Sequence, residues 1–213
     1  PKFIPYFSLG DPDYNLSVEW GKALIEGGAD FLELGIHFSD PIADGPVIQK
    51  SYKRALDNNP FSMELIIQTT TAIHKSNKNV PLLFLTYLNP VYAFGIKKFL
   101  RSSSIAGIRG IVIPDLPFDA KEAIQLFDMA KSESIDLINL VTPVTPVSRM
   151  RQMKKFSSGF IYYVTSFGVT GERREFAMDM NKRVSLIRKE MNLPVCAGFG
   201  ISTPDQASQI SGY

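Results

Sequence analysis

The sequence predicts an α/β protein with a (β/α)8 barrel, or TIM barrel, fold, and three observations support this. Short apolar segments alternate with segments of helical spacing along all 213 residues. The apolar segments are nearly continuous, which is typical of parallel strands buried on both faces. No glycine-rich dinucleotide fingerprint follows the first strand, and this argues against a Rossmann sheet. A doubly wound open sheet is the alternative architecture.

Seven strand segments are expected, each followed by a helix. The strands are residues 3–9, the apolar segment from Phe31, and residues 81–87, 110–115, 135–141, 160–165 and 193–199. The helices are residues 15–26, 46 to about 56, 61–74, 96–103, 120–133, 146–156, about 182–191 and 203–210, with a turn at Asn89-Pro90. The eighth strand and helix are missing from this pattern. We therefore expect a single barrel domain over residues 1–213, truncated at both ends.

Composition excludes several classes of function. Lys and Arg number 23 and Asp and Glu 21, so a net charge of +2 gives no support to a nucleic-acid or membrane partner. The single cysteine excludes an internal disulfide and fits a reducing cytoplasm. No apolar run reaches the roughly 18 residues of a membrane-spanning helix. His37 and His74 lie in different kinds of element, so we expect no metal site.

Two acids mark the segment from Phe31 to Gln49, FLELGIHFSDPIADGPVIQ. Glu33 interrupts an apolar strand, so burial should raise its pKa. Asp44 follows in a loop that we expect to stay more polar. Two carboxyl groups in unlike surroundings suit acid–base chemistry. The spacing alone leaves open a structural alternative for each: Glu33 paired with a buried cation, and Asp44 capping the helix that begins at Pro46.

Two glycine-containing loops follow the last two expected strands. They are residues 168–171, GVTG, and residues 198–202, GFGIS. Glycines let backbone N–H groups approach phosphate oxygens, and late loops of such barrels commonly bind phosphate. A turn that requires positive φ explains either loop about equally well. Together, in a barrel, the loops favour a phosphate ester as ligand.

The segment around the two acids closely resembles the active-site strand and loop of the tryptophan synthase α subunit family. The resemblance spans nearly the whole chain, through FIPYFSLGDP, LELGIHFSDPIADGPVIQ, TYLNPVY, IPDLP, GVTG and GFGISTPDQ. Members of this family are lyases of tryptophan biosynthesis. The resemblance implies cleavage of indole-3-glycerol phosphate to indole and glyceraldehyde 3-phosphate by retro-aldol acid–base catalysis.

The resemblance also assigns roles to single positions. It implies that Glu33 and Asp44 are catalytic. The implied substrate-binding positions are Tyr6, Leu85, Tyr87, Val112, Tyr162 and Thr170, for most of which barrel core is the alternative. The implied phosphate contacts are Gly171, Phe199 and Gly200. Residues 166–179 are expected to form a lid over the phosphate.

A partner is implied as well. In the family, the α subunit docks on a β subunit that carries pyridoxal phosphate, so we expect a cytoplasmic α2β2 complex and no cofactor in this chain. The implied interface positions are Asp40, Pro41, Asn89, Tyr92 and Pro117. Asp115 is either part of this contact or a structural acid at a strand end, and we favour the structural role.

Two positions depart from the family pattern. His37 stands where proline is more usual, and Ser166 stands where many bacterial members have arginine. One alternative is therefore a regulatory subunit that activates its β partner while being a weak lyase. Another is a different phosphate-sugar barrel of the same pathway, such as an isomerase or the indole-glycerol-phosphate synthase. The synthase would need a catalytic lysine inside the barrel, and the expected strands contain none.

Overall fold

A computed structural model describes residues 1–164, 173–198 and 203–211 of the protein. The chain falls into two compact units, residues 2–137 and residues 138–213 together with Pro1. Each unit is built from strands that alternate with helices, and the strand pairs with a described register are parallel. The predicted α/β class with parallel strands is therefore confirmed. The expected single domain stays a prediction.

The first unit supplies a five-stranded sheet whose strand order follows the sequence. Its elements are β1 (Tyr6–Ser8), α1 (Tyr14–Glu26), β2 (Leu32–Gly35), α2 (Pro46–Asn58), α3 (Met63–Ser76), β3 (Leu82–Leu85), α4 (Leu88–Phe94), α5 (Ile96–Ile105), β4 (Ile108–Val112), α6 (Lys121–Ser132) and β5 (Asp136–Ile138). The strands are shorter than predicted, and α2 begins at Pro46 as predicted.

The second unit contains a three-stranded sheet in sequence order. Its elements are β6 (Leu140–Val141), α7 (Val147–Met153), a 3-10 turn (Lys154–Phe156), β7 (Ile161–Val164), α8 (Arg173–Met191), β8 (Val195–Gly198) and α9 (Pro204–Ser211). None of the described helices is both long and apolar enough to cross a membrane.

Two predicted boundaries in this part of the chain are wrong. The strand expected at 135–141 is divided into β5 and β6 at Asn139, whose side-chain amide donates to the Phe156 carbonyl oxygen at 2.7 Å. Helix α8 begins at Arg173 rather than near 182, so the end of the expected lid is helical.

The turn predicted at Asn89-Pro90 is also wrong, because both residues lie in the first turn of α4. A proline is tolerated there, since the N–H groups of a first helical turn have no partner within the helix. The backbone N–H of Leu88 instead donates to the two carboxylate oxygens of Asp115, at 3.0 and 3.2 Å. The carboxylate of Asp115, in the loop after β4, thus caps the N-terminus of α4. This is the structural role that was favoured for Asp115.

The strand register separates two faces of the first sheet. Phe7, Leu34, Phe84 and Ile111 lie level with one another and belong to the buried cluster that also contains helix residues. The alternating positions belong to the opposite, inner face. There Glu33 is level with Tyr6 on β1 and with Leu83 on β3. Glu33 is therefore an acid on a face to which Leu83, Leu85 and Val112 contribute apolar side chains.

An ion pair between buried Asp11 and exposed Arg54 fixes the loop after β1 to α2. Asp11 is 6% exposed and accepts hydrogen bonds from Ser51 at 2.5 Å and from two nitrogens of Arg54 at 3.0 and 2.6 Å. Burial acts to raise the pKa of Asp11, but the hydrogen bonds from Arg54 and Ser51 outweigh it and hold the pKa below its usual value. The pair therefore stabilises the fold wherever Asp11 is ionised.

We expect Arg54→Met to lower the free energy of unfolding at pH 7, because it leaves a buried carboxylate without its cation. The exposure of the guanidinium limits the loss. The lowered pKa of Asp11 means that this contribution is complete above about pH 4 and is lost as the pH falls further. Urea unfolding at pH 7 and pH 3 measures both effects.

Lys53→Met is the matched control, since Lys53 is the neighbouring residue and forms an exposed ion pair with Asp57. It should cost at most about 0.5 kcal/mol. Equal losses in the two variants would contradict the assigned role of the Asp11–Arg54 pair.

Candidate active site

Glu33 lies on the inner face of the first sheet, in its second strand. It is 1% exposed, and its strand neighbours Leu32 and Leu34 are fully buried on the other face. The strand therefore places a carboxyl group on the inner face of the sheet, level with the apolar side chain of Leu83.

Asp44 lies in the loop between β2 and α2 and is fixed to the end of β3. The hydroxyl of Tyr87 donates to Asp44 Oδ2 at 2.6 Å and accepts from the backbone N–H of Ala43 at 3.0 Å. The residue that caps α2 is Gly45, without a side-chain hydrogen bond. The alternative interpretation of Asp44 as the helix cap is therefore wrong, and its carboxyl group is available to the site.

The surroundings of Asp44 are less polar than the sequence suggested. Burial raises the pKa of its carboxyl group, and the hydrogen bond from Tyr87 opposes this only in part. Of the described residues, no lysine or arginine forms an ion pair with it. Tyr87 is thus the group that stabilises the ionised form of Asp44.

The charges of both acids act on the hydroxyl group of Tyr6. Burial raises the pKa of its hydroxyl group well above the usual value, and the carboxyl groups of Asp44 and Glu33 raise it further. Its ring lies across Gly35, where any Cβ would collide with the Tyr6 hydroxyl. The two acids and this tyrosine therefore belong to one site.

The remaining predicted substrate positions fall into three groups. Leu85 and Val112 are level with Gly35 on the inner face and are almost fully buried, as is Tyr87. Tyr162 lies in β7 of the second unit, where its ring lies across Gly198. Thr170 and the phosphate positions Gly171, Phe199 and Gly200 are outside the described residues, as is Ser166.

The predicted interface positions all follow strands of the first unit. Asp40 and Pro41 lie in the loop after β2, Asn89 and Tyr92 in α4, and Pro117 after β4. Since the strands are parallel, these segments leave the same edge of the sheet. Asp40, Asn89, Tyr92 and Pro117 are exposed. The sequence analysis did not include Ile42 and Val47, which are apolar and 81% and 76% exposed. Ile42 directly follows Pro41, and Val47 lies in the first turn of α2.

His37, the first departure from the family pattern, is fully buried in the loop after β2. Its Nδ1 lies 2.9 Å from the Leu9 carbonyl oxygen, and its ring contacts Phe61 edge to face. Burial lowers the pKa of the imidazole and the hydrogen bond to Leu9 opposes this in part. The neutral ring donates from Nδ1 and fastens this loop to the end of β1.

Sequence reasoning missed Tyr52, which the structure places beside Tyr6. The Tyr6 hydroxyl donates to the Tyr52 hydroxyl at 3.0 Å, and Tyr52 is 1% exposed. A buried tyrosine on the apolar side of a helix gives no signal that separates it from core. Within the described part of the chain, no group of three His, Cys, Asp or Glu side chains could hold a metal ion.

We expect Tyr87→Phe to raise the pKa of Asp44, because the variant removes the hydrogen bond that favours the carboxylate and leaves burial unopposed. Titration of the aspartate carboxyl carbons by NMR measures this directly. Tyr92→Phe is the control, since Tyr92 is 42% exposed and the hydroxyl that is bonded to Asp44 belongs to Tyr87. An unchanged Asp44 titration in Tyr87→Phe would contradict the assigned role.

Comparison with known proteins identifies the family. The family model described as the tryptophan synthase alpha chain matches residues 1–212. A tryptophan synthase alpha chain of Leptospira borgpetersenii is 57% identical over 211 residues, which are 99% of this chain and 80% of that protein. One of Bacillus cereus is 40% identical over 208 residues, covering 98% and 79% of the two chains.

Solved structures of similar proteins indicate the same family. The tryptophan synthase subunit alpha of Legionella pneumophila superposes with a TM-score of 0.89 at 32% identity, covering 100% of this chain and 77% of that chain. The A-subunit of Pyrococcus furiosus gives a TM-score of 0.85 at 33% identity, covering 99% and 82%. The predicted (β/α)8 barrel class is thereby confirmed. With the acids, the tyrosines and the sheet register in place, the chain belongs to the tryptophan synthase alpha chain family.

Proposed function

We propose that this chain cleaves indole-3-glycerol phosphate to indole and glyceraldehyde 3-phosphate. The observation that supports this most directly is the acid pair, with Glu33 buried at the inner face of β2 and Asp44 hydrogen-bonded to Tyr87 on the following loop. Membership of the tryptophan synthase alpha chain family supports the choice of substrate.

Glu33 is the proposed general acid and base. When the bond to indole C3 breaks, the bonding electron pair stays with C3. Glu33 therefore first gives a proton to C3, so that the ring can accept this pair. The resulting carboxylate then takes the proton from the hydroxyl group next to the breaking bond, the carbonyl of the aldehyde forms, and the bonding pair returns to the ring. Glu33 is protonated again at the end. A buried carboxyl group is suited to both steps.

Asp44 is the proposed electrostatic partner. Protonation of C3 places positive charge on the ring nitrogen, and an ionised carboxylate that accepts a hydrogen bond from the ring N–H stabilises that charge. This role requires an ionised Asp44, which the hydrogen bond from Tyr87 favours. The apolar side chains of Leu85 and Val112 would border the indole ring.

A β subunit is the proposed partner, in an α2β2 complex in the cytoplasm. The surface formed by Asp40, Pro41, Asn89, Tyr92 and Pro117 supports this proposal, because these positions follow parallel strands at one edge of the sheet. The exposed apolar side chains of Ile42 and Val47 would add contact area. Pyridoxal phosphate would belong to the β subunit, and this chain would need no cofactor.

The first experiment measures indole release from indole-3-glycerol phosphate, with and without β subunit, for wild type and Glu33→Gln. We expect slow release by the wild type alone, strong stimulation by the β subunit, and a loss of at least about 10²-fold in the variant, the lower range for a general acid–base group.

Glu26→Gln is the matched control, because it makes the same chemical change at an exposed position of α1 and should leave the rate unchanged. If wild type and Glu33→Gln are equally inert while the β subunit is still activated, the lyase proposal fails. The chain would then be a regulatory subunit without turnover of its own.

A pH profile tests Asp44. Since burial raises the pKa of its carboxyl group, the ionised form and with it kcat/KM should be lost as the pH falls through that raised value. The acidic limb should lie above the usual titration range of an aspartate and should move further up in Tyr87→Phe. An acidic limb that is identical in the two proteins would contradict the role of Asp44.

A further inference from the structure

Three hydroxyl groups form a chain beside the two acids of the first unit. The Tyr6 hydroxyl donates to the Tyr52 hydroxyl at 3.0 Å and lies 3.3 Å from Ser8 Oγ. Because Tyr6 has one proton to donate and gives it to Tyr52, Ser8 is the donor in the second contact. The chain thus runs from β1 to α2 and links the inner face of the sheet to a helix.

The position of the Tyr6 ring depends on these hydrogen bonds. The ring lies across Gly35, which offers space but no side chain to hold it. Tyr6 is only half-buried, whereas Tyr52 is 1% exposed and fixed within α2. The buried hydroxyl of Tyr52 is therefore the rigid acceptor, and without it the Tyr6 hydroxyl keeps one weak contact and can turn towards water.

The three hydrogen-bonded hydroxyl groups also lie where the chemistry is proposed to occur. The carboxyl groups of Asp44 and Glu33 both act on the Tyr6 hydroxyl, and that of Asp44 acts on Tyr52 as well. Burial is the largest cause that raises the pKa of both tyrosines well above the usual value, and these charges add to it. Both stay neutral at any working pH, so neither is a general base.

Resting on the proposed lyase function, we infer that Tyr52 is a further positioning residue of the site. Through its hydrogen bond it holds the Tyr6 ring across Gly35, and the ring in turn forms a fixed wall next to Glu33 against which the substrate is oriented. Tyr52 acts through Tyr6 and does not take part in proton transfer. Small errors in the orientation of reacting groups lower the rate of the chemical step, so the effect should fall on kcat more than on KM.

Another tyrosine supplies the comparison. Tyr14 in α1 also has a buried hydroxyl group, yet of the described residues none forms a hydrogen bond with it. Burial raises its pKa to about 12, so it too is neutral. Removing its oxygen deletes a buried hydroxyl of the same kind without touching the chain of Ser8, Tyr6 and Tyr52.

The test uses steady-state indole release by the full chain with β subunit present. We expect Tyr52→Phe to lower kcat by about 3- to 10-fold, the range of one neutral hydrogen bond, with little change in KM. Tyr6→Phe breaks the same bond from the other side and should lose as much. In the double variant the loss should equal that of either single change, because both act through one contact. Tyr14→Phe should match the wild type.

The outcomes separate this inference from the proposed function. A wild type that releases no indole would overturn both. A wild type that is active beside a Tyr52→Phe variant that equals Tyr14→Phe would overturn only the role of Tyr52. Losses that add in the double variant would also overturn it, since Tyr52 would then act independently of Tyr6. Thermal unfolding of each variant shows whether a lower kcat reflects lost structure. Tyr6→Phe removes the same hydrogen bond while Tyr52 stays intact, so it gives a second measurement of the effect on kcat.

Discussion

The register of β2 between β1 and β3 is the constraint on which the candidate site depends. Glu33 is level with Tyr6 and Leu83 on the inner face, while Leu34 is level with Phe7 and Phe84 in the apolar cluster. A slip of one residue would exchange these faces and place the carboxyl group among the helix-packed side chains. Burying an acid there without partners is costly, so the same apolar residues that build the core also fix the direction of Glu33.

The position of Asp44 depends on two anchors that come from neighbouring strands. Tyr87 at the end of β3 binds its carboxyl group, and His37 binds the Leu9 carbonyl at the end of β1. The family resemblance implies proline as the more usual residue at the position of His37, and proline would restrain the loop through its fixed φ. A buried neutral imidazole with a hydrogen bond restrains the same loop by a contact instead. The departure therefore replaces one source of rigidity with another.

Much of this arrangement could be predicted because it is local in sequence. The apolar segments predicted the order of the strands, and an acid inside one of them drew attention to Glu33. Helix α4 could not be predicted, because the acceptor for its first N–H is Asp115, 27 residues further along the chain. The raised pKa of Asp44 depends on burial by residues from other elements, which spacing does not show. Tyr52 was missed for the same reason.

The side-chain partners that the structure describes for Asp44 and Tyr6 are neutral hydroxyl groups, and the proposed mechanism gives a reason for this. Asp44 accepts from Tyr87, and within the described part of the chain no lysine or arginine forms an ion pair with it. A resident cation would keep the carboxyl group ionised, but it would also cancel the attraction for positive charge on the substrate ring. A tyrosine hydroxyl favours the carboxylate without adding charge. Tyr6 meets the same condition beside Glu33, because a neutral hydroxyl adds no charge that would favour one protonation state of this acid in the proposed mechanism.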